Sequence, residues 1–237
     1  MGKSGSVRSA TNPHTRRNPP CIEAVYRWVY RDARDGGILY THLCWQHKKR
    51  RKQRRYGAGR GLIPGRVSIN ERPTLVDKRA RFGDWEGGTV EGAKGSGNIA
   101  SHVERKSRYL IAAKLDNKTA EAATSGAIRI FRRIPRALRK TLTVDNGKEF
   151  AQFADIEKRT GLAIYFADPY AAWQRGCNEN TNGLLRRYFP KGADFRAITN
   201  EVLASVVKKL NHRPRKCLGY WTPHEVFRQA VRGAVGT

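Results

Sequence analysis

Acidic residues are scarce in this chain: 20 Asp and Glu stand against 47 Lys and Arg in 237 residues, a formal charge of +27. A net charge of about 2–8 is enough to keep a small domain soluble. The larger excess repels itself and implies a polyanionic partner, of which nucleic acid is the commonest, against the blander reading of a merely soluble cationic surface. Long apolar runs are missing too. No stretch of about 18 apolar residues occurs, which excludes an ordinary membrane-spanning helix. The basic opening MGKSGSVRSATNPHTRRNPP leads into no apolar segment of the kind a secretory signal needs. Paired cysteines are also lacking: Cys21, Cys44, Cys177 and Cys217 are scattered, and they read as reduced thiols of a cytoplasmic protein rather than a disulfide frame. The run His42-x-Cys44-x-x-His47 offers zinc-type ligands but no CxxC or HxxxH pair to complete a tetrahedral set.

What is present can build a core, since 39% of the residues are hydrophobic and the length suits one ordinary domain with a small appendage. Residues 1–20 are polar, aperiodic and rich in Pro, Arg and Ser, and read as disordered. CIEAVYRWVYRDARDGG then sets Ile22, Val25, Tyr26, Val29 and Tyr30 at helical spacing until Gly36-Gly37 stops the pattern. A short helix around Leu39–Trp45 follows. Residues 48–55, KKRRKQRR, are basic except for Gln53. They read as an arm lying along phosphates through Lys48, Lys49, Arg50, Arg51, Lys52, Arg54 and Arg55, with a solvated tail or a nuclear-localisation signal as the alternatives. The organisation is thus a disordered basic N-terminus (1–20), a helical and basic DNA-binding region (21–72) and a larger domain (73–237), with the boundary near Glu71–Pro73.

In that larger domain the spacing predicts strands over Asp84–Glu91, Asn98–Glu104 and Arg108–Leu115, a helix over Thr119–Ile134 closed by Pro135, and a buried strand TLTVD at 141–145. A helix over KEFAQFADIEKRTG, a strand AIYFAD at 163–168, and helices over Asn178–Tyr188, Thr199–Asn211 and Pro223–Val231 complete the pattern. A three-strand meander followed by helix-connected strands predicts a mixed five-stranded sheet flanked by helices, the order of an RNase H-like α/β fold.

Two segments suggest chemistry. Asp145 ends a predicted strand just before Asn146-Gly147, where α/β sheets place ligands, although an Asp before Asn-Gly also serves as a turn cap. On a helix beginning near Asn178, Glu179, Asn182, Gly183 and Arg186 share one face. Such a stripe suits a metal ion beside a phosphate backbone, or a polar solvent face.

GDWEGGTVEG, HVERKSRYL, TLTVDNGKEFA, YFADPYAAWQRGCNENTNGLLRRYFPKGADF and LNHRPRKCLGYWTPHEVF closely resemble, in the same order from about Ile22 to Phe227, segments of bacterial insertion-sequence transposases of the family numbered thirty. Those proteins are similar to retroviral integrases in having an RNase H-like core with an Asp-Asp-Glu triad. The resemblance implies that 73–237 is the catalytic core and that Asp145 and Glu179, with thirty-three residues between them, are the second Asp and the Glu. It also implies that Lys148, Arg175, Asn182 and Arg186 lie beside DNA. The triad would hold two Mg²⁺ or Mn²⁺ ions about 3.5–4 Å apart, one activating the attacking hydroxyl and one stabilising the leaving oxygen. The partners implied are the double-stranded DNA of the element ends and target, and further copies of the chain assembled on that DNA. The setting implied is the bacterial cytoplasm and nucleoid.

In two places the chain departs from that pattern. The family's first Asp follows Trp-Glu-Gly, and that position is Gly88 here. Glu86 shares its strand face but lies about 6.6 Å away, too far for one extra methylene to span. Asp84 is farther, and Glu91 faces the other side. The expectation is strand cleavage and transfer reduced by several orders of magnitude. In addition, family members carry a helix-turn-helix region ahead of the segment that begins here near Ile22, and residues 1–20 do not resemble one. The expectation is a copy truncated or started elsewhere, with weakened recognition of terminal repeats. The readings are therefore an impaired DDE transposase or a catalytically silent DNA-binding relic of one, with an RNA-cleaving nuclease as a distant third.

Overall fold

The computed structural model describes residues 21–43, 63–169 and 171–235. The chain divides into two compact units, residues 1–53 and 54–237. In the first, α1 (Ile22–Arg34) buries Val29 and Ala33 and ends where Gly36 turns left-handed at φ 90°. The Asp32 carboxylate then accepts the Leu39 N–H at 2.9 Å, at the start of a single 3-10 turn, Leu39–His42. Cys44, His47 and the basic run 48–55 lie outside the described residues.

The second unit holds a five-stranded sheet in the order β3-β2-β1-β4-β5. β1 (Asp84–Glu91), β2 (Asn98–Glu104) and β3 (Leu110–Leu115) form the antiparallel meander, and β4 (Thr141–Val144) and β5 (Ala163–Phe166) run parallel to β1. With α2 (Ala120–Phe131), α3 (Phe153–Thr160), α4 (Gly176–Leu185), α5 (Asn200–Asn211) and α6 (Pro223–Val235), this is the RNase H-like arrangement the element order predicts. Ile63, Ile69 and Val76 are buried and Ser68 bridges to Phe166, so the expected boundary near 71–73 falls inside this unit.

Period-two alternation divides the core. One face packs Trp85, Phe131, Leu142 and Phe227; the other packs Val90, Ile99 and Val103 against Cys177 and Leu185 of α4 and Leu203 of α5. Trp85 is fully buried, and its indole N–H reaches the Leu138 carbonyl at 2.9 Å. Just ahead of β1, Gly83 (φ 98°) lies so close to the Leu138 backbone that a Cβ would come within 3.0 Å of it, which only glycine tolerates.

Several element bounds differ from the sequence expectation for local reasons. β3 begins at Leu110 rather than Arg108, because Arg108 sits at φ 64° and the Glu104 carboxylate holds the turn through the Ser107 N–H and hydroxyl. The single helix expected over 148–161 is a 3-10 turn, Lys148–Phe150, followed by α3, with Glu149 drawn inward to the Thr89 hydroxyl at 2.9 Å.

His102 of β2 is 1% exposed, packs its ring at a tilt against Phe131 with centroids 5.0 Å apart, and has no hydrogen-bond partner at either ring nitrogen among the described residues. Burial pushes its pKa down from 6.5 to about 4. The unfolded chain therefore binds the extra proton first as pH falls, so stability that is complete above about pH 6.5 is lost progressively toward pH 4, by an amount on the order of 3 kcal/mol. Urea unfolding at pH 7 and pH 4.5 is expected to show a smaller acid-induced loss for His102→Leu than for the unsubstituted chain; equal losses would contradict this.

Candidate active site

β1 and β4 are parallel neighbours at the centre of the sheet. Alternation sends Asp84, Glu86 and position 88 of β1 toward α4. Asp145 follows β4 directly. Its Oδ1 accepts the Gly147 N–H at 3.1 Å, an Asx turn, while Oδ2 pairs with Nη2 of Arg175 at 2.9 Å. One oxygen thus caps the turn and the other meets Arg175, the residue just before α4.

The same Arg175 guanidinium donates through Nη1 to the Gly87 carbonyl at 2.9 Å, bridging the middle of β1 to the end of β4. Gly88 faces this bridge. A Cβ built there would stand 3.1 Å from Arg175 Nη1 and 2.5 Å from Asn178 Oδ1. Asn178 is fully buried, and its Nδ2 donates to the carbonyl and hydroxyl of Ser101 at 3.1 and 3.0 Å. Its Oδ1 accepts from Asn182 Nδ2 at 3.0 Å, and the Ser101 hydroxyl donates to Asn182 Oδ1 at 2.6 Å. An amide and a guanidinium therefore occupy the space into which a carboxylate at position 88 would project.

Glu179 lies four residues past Arg175, one helical turn along α4. It is exposed and carries no hydrogen bond or ion pair to any described residue. Asn182 turns to the sheet, and Arg186 donates to the Glu91 carbonyl at 2.5 Å, its pKa lowered by burial. The stripe expected from helical spacing is thus split, with Glu179 in solvent and its companions packed inward. Lys148 is exposed beside the Asp145 turn.

The other carboxylates on this face are engaged. Glu86 is 1% exposed; its Oε2 accepts the N–H groups of Cys177 and Asn178 at 2.8 and 2.9 Å, and Oε1 lies 3.2 Å from Nε of Arg105. A strand residue thus caps the N-terminus of α4, where a negative charge meets the unpaired amides and the positive end of the helix dipole. This explains why α4 starts at Gly176 rather than at the expected Asn178. Asp84 is held by Arg81 at 3.0 and 3.1 Å and by the Thr141 hydroxyl at 2.8 Å. The Cys177 thiol is pushed up to about 11, first by burial and then by Glu86, so it stays protonated.

Sequence reasoning missed the Arg175 bridge, the Ser101–Asn178–Asn182 network and the capping role of Glu86. The only sequence signal for the last was the period-two relation of Glu86 to position 88.

Among the described residues, no group of three or more His, Cys, Asp or Glu side chains is gathered to hold a metal. A two-metal site needs a carboxylate that bridges the ions. The residues present do not fit one: position 88 has no side chain, Asp145 is paired with Arg175, and Glu86 and Asp84 are committed elsewhere.

The chain is similar to the transposase for insertion sequence element IS4351 of Bacteroides fragilis, 43% identical over 88% of this chain and 64% of that protein. It is 41% identical to the transposase for IS1086 of Cupriavidus metallidurans, over 88% of this chain and 62% of that protein. It is 39% identical to the InsI transposase for IS30A of Escherichia coli, over 96% of this chain and 60% of that protein. The chain thus spans about three fifths of the length of these relatives. No family model matches it. Among solved structures, the catalytic core domain of BIV integrase is similar with a TM-score of 0.49 and 20% identity, over 63% of this chain and 96% of that one.

Proposed function

We propose that this chain, a relative of the IS30-type transposases at about 40% identity over most of its length, is a DNA-binding protein on a transposase core whose strand-cleaving step is disabled at Gly88. The observation that carries the reading is the crowded space at position 88, where Asn178 and Arg175 stand in place of a carboxylate and Arg175 neutralises Asp145. The family implies a divalent metal, Mg²⁺ or Mn²⁺, but two carboxylates with the third missing do not complete its site.

What the chain's own residues do is position the site and bind DNA. Glu86 fixes the start of α4 and so orients Glu179; Asp145, Asn146 and Gly147 fix the turn that presents Lys148. The charge of +27, concentrated in the run 48–55 and supplemented by Lys148, Arg175 and Arg186, supports phosphate contact with double-stranded DNA in the bacterial cytoplasm. Assembly of several copies on that DNA belongs to the same reading.

Duplex affinity is expected to fall steeply with salt, because each phosphate neutralised releases condensed counterions. For about 6–10 contacts the loss is roughly 10³–10⁵-fold between 50 and 200 mM. Fluorescence anisotropy across a salt series measures it, with plasmid nicking in Mg²⁺ and Mn²⁺ as the companion assay. A nearly salt-independent affinity, or metal-dependent nicking by the unsubstituted chain that Glu179→Gln abolishes, would sink the proposal.

A further inference from the structure

The turn between α5 and α6 carries Arg213, Arg215, Lys216, Tyr220 and Trp221 and no acidic residue. Tyr220 is 70% exposed and Trp221 54% exposed. Neighbouring aromatics with that much apolar surface in water are unusual unless a partner covers them. The turn is held rather than loose. The Tyr220 N–H donates to the Arg215 carbonyl at 2.9 Å and the Arg215 N–H to the Trp221 carbonyl at 3.1 Å. Just beyond, Thr222 and Glu225 close a reciprocal cap on α6, with the Thr222 N–H on the Glu225 carboxylate at 2.8 Å and the Glu225 N–H on the Thr222 hydroxyl at 3.2 Å. That cap takes the carboxylate of Glu225, leaving it turned to Thr222 rather than to the cations.

Tyr220 also sits at φ 70°, directly after Gly219 at φ 60°. A bulky residue in the left-handed region is strained, and such strain clusters at ligand clamps and other functional sites. Arg213 and Lys216 are exposed and have no ion pair among the described residues. Arg215 is anchored through Nη2 to the Leu210 carbonyl at 3.2 Å, and its pKa is lowered by burial and then by the neighbouring Arg213. The turn is therefore a rigid, unneutralised cationic ledge that presents two aromatic rings. Cations track a phosphate backbone, and aromatic faces stack on bases once these are unpaired, a combination suited to a single strand rather than to a closed duplex.

We propose that the Arg213–Trp221 turn is a binding site for single-stranded DNA, with Tyr220 and Trp221 stacking on unpaired bases and Arg213 and Lys216 meeting the flanking phosphates. The site rests on the reading of the chain as DNA-acting and adds the strand state that it selects. The test is anisotropy with the full chain at roughly 0.15 M salt, using a labelled thymidine oligonucleotide of roughly 15 nucleotides and a blunt duplex of equal length. Each ring removed is expected to weaken single-strand binding roughly tenfold and to leave duplex affinity within about twofold. Trp221→Phe should retain most of the binding.

Tyr220→Gly separates binding from folding, because glycine relaxes the left-handed backbone. It should melt no lower than the parent and still lose single-strand affinity. Equal losses on both DNAs, or none on either, would overturn the proposal, as would a Tyr220→Gly/Trp221→Ala variant that changed only the oligomeric state, which would mark the turn as a contact between copies. If the parent chain bound neither DNA, the DNA-acting reading would fall with it; intact duplex binding with unchanged single-strand binding overturns this turn alone.

Discussion

Gly88→Asp is expected to nick supercoiled plasmid in Mn²⁺ or Mg²⁺ faster than the parent chain by several orders of magnitude, since a bridging carboxylate acts as a unit with its partners in two-metal chemistry. The fold around the position is complete: β1 pairs with β2 and β4 on either side of it, Asp145 stands at the end of β4, and Glu179 stands on the first turns of α4. The new side chain must displace Asn178 Oδ1, which lies 2.5 Å from the required Cβ, and compete for Arg175 at 3.1 Å. Overpacking of this kind costs about 1–3 kcal/mol, so the active variant should also be the less stable one. Gly88→Ala supplies the crowding without the carboxylate and should lose stability while remaining silent. Gly88→Asp/Glu179→Gln should be silent as well. Nicking by that double variant would point to a contaminating nuclease, and silence of a folded Gly88→Asp would mean that more than one ligand is missing.

Glu86→Ala is expected to destabilise the protein by about 3–5 kcal/mol, the usual cost of removing one partner from a buried ion pair. The carboxylate serves Cys177 N, Asn178 N and Arg105 together. Its loss strands two helix-terminal amides and leaves Arg105, 6% exposed, with Asp77 at 3.6 Å as its only acidic partner among the described residues. Glu86→Gln keeps one acceptor without the charge and should fall between. Urea unfolding gives the magnitude, and amide exchange gives the location: the N-terminal turn of α4 should open first. A Glu86→Ala chain as stable as its parent would show that the cap is ornamental.

The sheet could be read from the sequence because its signals are local. Bounded apolar runs set β1 and β2 at the residues the structure shows, and Gly161 marks the end of α3, whereas α2 stops at Phe131, short of the Ile134 expected from Pro135. Boundaries differ where a side chain's hydrogen bonding, which periodicity does not register, decides them: Glu86 starts α4 from more than ninety residues upstream, and close by in the sequence the Glu104 carboxylate holds the turn whose left-handed Arg108 shortens β3. The site was half legible for the same reason. The placement of Asp145 just after β4 and of Glu179 on α4 follows from the element pattern, whereas the Arg175 guanidinium joining Gly87 to Asp145 is a tertiary contact that no periodicity encodes. Lone glycines are equally ambiguous in sequence, and only the surrounding atoms separate position 88, crowded by the side chains of Asn178 and Arg175, from position 83, pressed against the Leu138 backbone at a positive φ.

The Arg175 bridge has a consequence for how the chain tolerates glycine at position 88. The guanidinium supplies an internal counter-charge to Asp145 and a donor to the Gly87 carbonyl, so the heart of the sheet is electrically satisfied without any ligand at position 88. Folding then does not register the missing carboxylate. Quality-control proteases, which sample unfolded chains, are therefore expected to degrade this chain no faster than its Gly88→Asp variant, which a pulse-chase comparison of the two would check.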